Sequence, residues 1–203
     1  MNKKFKFVFI VIFIVLLVML FFCMKDIYLT LNANNEVKTL STIDKYGYTL
    51  NENDSPYFKS LFEKLKTCLE SDEVDEEEYA KLLSELFVVD FYSLDYSLSK
   101  SDIGGIQFVY SDYKSSFTSK AKDTIYSYVE SNIYGKRNQE LPNVKKVSVS
   151  NIEQKEYSGK KEKDEKAYYV DLKIEYDKDL EYPEEVSLVL IHKNDKLQVV
   201  KMN

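Results

Sequence analysis

Asp90, Tyr92, Asp95, Tyr96, Asp102, Gln107 and Tyr110 stand in one stretch, 90–112. Carboxylates set among tyrosines suit two kinds of chemistry. Tyrosine offers apolar area with a hydroxyl handle, which fits a recognition surface or the lip of a pocket. A carboxylate whose pKa is moved by burial, beside a donor to an oxyanion, can transfer protons. Asp90 with Tyr92 supplies those residue types. The same stretch holds Gly104-Gly105, and a structural reading stands beside the functional one. There the glycines supply positive φ, and Phe91, Leu94, Ile103, Ile106, Phe108 and Val109 pack on the core.

Other reactive residue types are sparse. The chain has 1 His and 2 Cys, which excludes a disulfide framework, a Cys-based zinc site and a His cluster. His192 shares the strand phase of Val186, Leu188 and Leu190, a position expected to be structural or solvent-facing. Cys68 falls on an apolar helical face and reads as an inert thiol. Asp177, Asp179 and Glu181 alternate like the start of a calcium loop, but Tyr182 and Leu188 stand where Gly and Glu are needed. Gly104-Gly105 lacks the lysine of a phosphate loop. Lys160, Lys161, Lys163 and Lys166 alternate with acids and read as a solvated hairpin loop. No catalytic residue, metal site or cofactor is expected. Of the 28 basic residues only Arg137 is arginine, and the net charge is −6. An acidic chain is a poor general binder of nucleic acid.

The elements that must position these residues are legible from periodicity. Ser55 is a good N-cap and Pro56 suits the first helical position, with Phe58, Leu61, Phe62, Leu65, Cys68 and Leu69 on one face of a helix over 55–70. Asp75 with Glu76, Glu77 and Glu78 opens a second helix over 75–89. A third is expected over 112–132, with Phe117, Ala121, Ile125, Tyr128 and Val129 in register and Gly135 as its stop. From 144 the period becomes two. Strands are expected near 144–157, 168–176 and 185–192, then a turn at Asn194-Asp195 and a last strand. A change of parity between Val149 and Ile152 predicts a β-bulge. Helices followed by an antiparallel meander make an α+β domain, about three helices on a bent four-stranded sheet.

Residues 7–24 are eighteen consecutive apolar residues. At about 1.5 Å per residue, a helix of that length just spans a bilayer core. Lys3, Lys4 and Lys6 precede it without an acid, so the bias puts the N-terminus in the cytoplasm and the rest outside. The large residues Leu20, Phe21, Phe22 and Met24 argue against a signal-peptide cut, and Phe21-Phe22 before Cys23 argues against lipidation. The expected order is a cytoplasmic tail at 1–6, a signal anchor at 7–24 with Phe7, Ile10, Phe13, Leu17 and Phe21 toward lipid, a link at 25–54, and an extracytoplasmic domain at 55–203.

A helical layer on a bent four-stranded sheet resembles the cystatin-like, nuclear transport factor 2-like cone. Behind one membrane helix, the arrangement is similar to bitopic assembly subunits of conjugative and type IV secretion machines. Tyr46-Gly47-Tyr48-Thr49-Leu50, Asp90-Phe91-Tyr92-Ser93-Leu94, Gly104-Gly105-Ile106-Gln107-Phe108-Val109 and Glu140-Leu141-Pro142 resemble strings of a family of small membrane-anchored proteins of low-GC Gram-positive bacteria. That resemblance implies an anchor and a location and carries over no catalytic residue. The expected function is a single-pass cell-envelope interaction module that binds an envelope protein or itself. Its rivals are a subunit of a conjugation or secretion machine, and a small-ligand-binding or catalytic cone.

Overall fold

The computed structural model describes residues 12–22, 24–25 and 38–203. The chain divides into two units, 1–37 and 38–203. In the first, residues 12–22 are helical and their apolar side chains are exposed, Phe13, Leu17 and Phe21 among them. Phe7, Ile10 and Cys23 lie outside the described residues, as do the tail at 1–6 and part of the link. Among the described residues no helix is long and apolar enough to cross a membrane. The expected transmembrane helix is therefore not found among them.

The second unit begins earlier than the sequence predicts. Part of the expected link forms a hairpin of β1 (Thr39–Ile43) and β2 (Tyr48–Asn51), paired antiparallel. Ile43, Tyr46, Tyr48 and Leu50 are buried in the main core. The hairpin is short and half polar, so its pattern reads as a tether until its tyrosines are seen to enter the core.

α1 (Pro56–Leu69) starts where expected, with the Ser55 Oγ accepting from the Phe58 N–H at 3.1 Å. Phe58, Leu61, Phe62, Leu65 and Leu69 form its buried face. α2 (Glu76–Tyr92) is capped by Asp75, whose carboxylate accepts from the Glu77 and Glu78 N–H groups. It runs three residues past the expected end, so Asp90 and Tyr92 stand on a helix and not in a loop. Its last two turns are apolar nearly all round because other elements surround them.

α3 (Lys114–Asp123) is much shorter than the expected helix. The break follows at Thr124, with φ −121° and ψ −105°. It lets Tyr126 turn inward, where its hydroxyl donates to the Phe91 carbonyl at 2.7 Å. Tyr128, expected on the core face, is 82% exposed. A buried tyrosine with a satisfied hydroxyl outweighs continued helical periodicity. Gly135 lies in a later turn and stops no helix.

The sheet is an antiparallel meander in the order β3 (Val144–Ser158), β4 (Lys163–Tyr176), β5 (Glu185–Lys193), β6 (Lys196–Met202). The register shifts between Val149 and Asn151, as the parity change predicts, and again near each end of β3. Asn194 and Asp195 both take positive φ in the β5–β6 turn. Val170, Leu172, Ile174, Val186, Leu188, Leu190, Leu197 and Val199 face the main core with α1 and α2. Ala167, Val189 and Ile191 form a small second cluster under Tyr157 and Tyr169. The fold is α+β, with four antiparallel strands in one sheet.

Candidate functional site

The 90–112 stretch is built around one close approach. A Cβ on Gly104 would sit 2.0 Å from the Asp90 carbonyl oxygen, so only glycine fits there. Gly105 takes φ 77°, and its N–H donates to the Asp90 carboxylate at 2.7 Å. The Gly104 N–H donates to the Tyr126 hydroxyl at 3.0 Å. Asp90 is half-buried, and burial first, then the charges of Asp54 and Asp102, push its carboxyl up to about 7 against the Gly105 N–H. Near neutral pH it is therefore partly protonated.

Asp90 and Tyr92 do not form a proton-transfer pair. The Tyr92 ring is buried edge-on against Phe91, and its hydroxyl reaches the Met202 Sδ at 4.0 Å. Gln107 does the work of a strand residue. Its Oε1 accepts from the Thr49 N–H at 2.9 Å, and its Nε2 donates to the Thr49 carbonyl at 3.2 Å, which extends the β2 edge. Tyr110 is buried, and its hydroxyl donates to Glu162 at 2.5 Å. That hydrogen bond, with burial, pushes the phenol up to about 12. Asp102 accepts from the Leu98 N–H, and Asp95 meets Arg137 at 3.2 Å. Only Asp95, Tyr96 and Asp102 of the seven are exposed. The structure brings Asp90 to the glycine pair and spreads the other six over separate contacts.

Three groups outside that stretch prove more organised. Arg137, whose side chain is 2% exposed, donates to the carbonyls of Ser97, Asp95 and Glu130 and to the Asp95 carboxylate. It ties the irregular 124–143 segment to residues 94–98, and its one available signal was being the sole arginine. Glu162 accepts from Tyr110 and from Lys193 at 2.9 Å. Asp164 accepts from the His192 backbone N–H and faces Nδ1 of its ring at 2.8 Å. The last two acids alternate with lysines, so they read as solvated loop residues. Their fixed roles depend on contacts made across the sheet.

No protein-family model matches the chain, and no curated protein and no solved structure matches it.

His192 therefore has to be read from its surroundings alone. Burial works against charge on Asp164, but the His192 and Lys166 N–H groups and the imidazole outweigh it and hold the carboxyl below its usual range. An ionised carboxylate only accepts, so Nδ1 carries the proton toward it. Nε2 then points to the Glu76 carboxylate at 3.8 Å. An oriented imidazole of this kind has the form of a base, but among the described residues no nucleophile is in hydrogen-bond contact with Nε2. The ring opens on a cleft of about 590 Å³, lined by Tyr46, Val74, Glu76, Tyr79 and the 192–197 turn. Tyr79 and Tyr48 share a hydrogen bond of 2.6 Å beneath it, and burial pushes both phenols up. Neither serves as a phenolate at neutral pH. The Cys68 thiol is also pushed up, by burial and by Glu78 and Asp75, which disfavours its reactive form. Among the described residues no group of three His, Cys, Asp or Glu side chains could hold a metal ion.

Proposed function

We propose that the chain is a single-pass, membrane-anchored interaction module whose α+β body lies outside the cytoplasm. The observation that carries this reading is the helical stretch 12–22, whose apolar side chains are exposed in a unit separate from the packed body. Eleven consecutive exposed apolar residues form a patch of the kind that marks a membrane or interaction surface, which supports an apolar environment for them. The sequence before them supports the orientation, because Lys3, Lys4 and Lys6 favour the cytoplasmic side. The bulged meander under two packed helices also supports the cystatin-like cone as the class of the body. Within this reading Asp90, Tyr92, Gln107 and Tyr110 are engaged inside the body and do not meet a partner. Contact with a partner then falls to exposed groups such as Tyr96 and Tyr128.

Alkaline extraction of membranes holding the full chain tests the anchor. The chain should stay in the membrane pellet, and protease added outside the cell should reach the 38–203 body. Release into the supernatant would refute the anchor, and protection from external protease would refute the orientation. Capture of an envelope protein by the full chain, weakened by Tyr96→Ala with Tyr128→Ala, tests the module.

A second reading, a small-ligand-binding domain, is favoured by the cleft beside His192.

A further inference from the structure

The cleft at the β5–β6 turn holds charges of both signs that lack short ion pairs. Lys196 is half-buried there. Its ammonium donates to the Tyr46 carbonyl at 2.9 Å and lies 5.3 Å from the centre of the Tyr48 ring. No carboxylate of the described residues comes within 4.0 Å of it, although eight other lysine or arginine side chains of the described residues have one. Burial and the like charge of Lys114 both push its pKa down, so the site holds a cation at a cost. Lys193, the neighbouring cation, is already neutralised by Glu162. On the acidic side, Glu76 makes only a 3.8 Å approach to His192, and Asp195 stands exposed in the turn. Tyr46, Val74 and Leu197 line the same cleft and give it apolar wall.

We propose that this cleft binds a small zwitterion with an apolar body, of the α-amino acid class. The carboxylate of such a ligand meets Lys196 and supplies the counter-charge that the protein does not. Its ammonium faces Asp195 and Glu76, which would repel a simple anion. Its side chain lies against Tyr46 and Val74, where apolar area is removed from water. A cation alone would leave Lys196 unmet, and an anion alone would crowd the two carboxylates. The proposal deepens the small-ligand reading and is independent of the anchor and of any protein partner.

The test uses three probes that share one ring: L-phenylalanine, 3-phenylpropionate and phenethylamine. Each is titrated by calorimetry into the full chain in a non-ionic detergent. L-Phenylalanine should bind saturably and at least about tenfold more tightly than either half-probe, since each end of the ligand meets an opposite charge and the half-buried Lys196 gains the counter-charge it lacks. Lys196→Met keeps the apolar stem, and it should reduce L-phenylalanine to the level of phenethylamine. Asp195→Asn lies in an exposed turn and leaves the core untouched. It should bring L-phenylalanine toward the level of 3-phenylpropionate. Absence of saturable L-phenylalanine binding overturns the proposal. So does a half-probe that binds equally well, or unchanged affinity in a folded Lys196→Met or Asp195→Asn chain.

Discussion

The Asp164 carboxylate accepts from His192 twice, from the backbone N–H at 2.7 Å and from the ring at Nδ1, 2.8 Å away. One side chain thereby fixes the C-terminal end of β5 to the β3–β4 hairpin beside its turn. The adjacent Glu162 holds the hairpin tip to Tyr110 and Lys193. The hairpin extends beyond the residues that β5 pairs, so these side chains replace the missing ladder.

Asp164→Ala should therefore loosen the tip. Two half-buried donors lose their acceptor, a loss of about 1–3 kcal/mol. Amide exchange should quicken across 158–163 while the α1–α2 layer keeps its protection. Because the folded state depresses the Asp164 pKa, its contribution is full above the ordinary aspartate range and is lost as acid protonates it. The difference between wild type and Asp164→Ala in urea melts should shrink at low pH.

Asp90 predicts the opposite dependence. Its folded pKa, about 7, lies above the ordinary value of 3.8. The native state then holds the proton more tightly than the unfolded chain. The associated stability is present below the ordinary value and is lost as pH rises through the folded one. Asp90→Asn keeps an acceptor for the Gly105 N–H and carries no charge. It should be more stable than wild type at pH 8, by about 1–3 kcal/mol, with the gain gone near pH 4. A constant difference across that range would show that Asp90 does not titrate this way.

Gly104→Ala should be among the most damaging single changes in the body. Its Cβ meets backbone, which cannot move aside as the end of a side chain can. A loss of about 3–5 kcal/mol is expected from forced separation of α2 from the 104–105 turn. Gly105→Ala should cost less, about 1–3 kcal/mol, from positive φ and a 2.9 Å approach to a Phe87 ring carbon. Denaturant midpoints of the two variants give the order directly.

Arg137→Lys should fail to restore the 124–143 segment. The guanidinium serves carbonyls on both sides of it, and an ammonium lacks that fork. A loss of about 2–3 kcal/mol is expected, because charged hydrogen bonds vanish from a buried position. Proteolysis should then cut first between 124 and 143. Equal resistance in the variant would assign the stapling to other contacts.

The local elements were written in the chain itself. Ser55-Pro56 and Asp75 mark two helix starts, because capping depends on residues within one turn. Alternation in 168–176 and 185–192 marks two strands, because successive strand side chains point to opposite faces. The parity slip after Val149 marks a bulge for the same reason. What failed was decided at a distance. Helical periodicity continued past Asp123, but the Phe91 carbonyl offered Tyr126 a buried partner 35 residues away, and the helix broke. The β1–β2 segment looked like a tether until Tyr48 met Tyr79 and the backbone of Leu197. Asp90, Tyr92, Gln107 and Tyr110 looked like one surface because they are close in sequence. Tertiary structure sends each to a different partner, because a buried polar group must be satisfied wherever the fold places an acceptor or donor. The charges around His192 come from α2, β4 and the β5–β6 turn, so no local spacing could have assembled them.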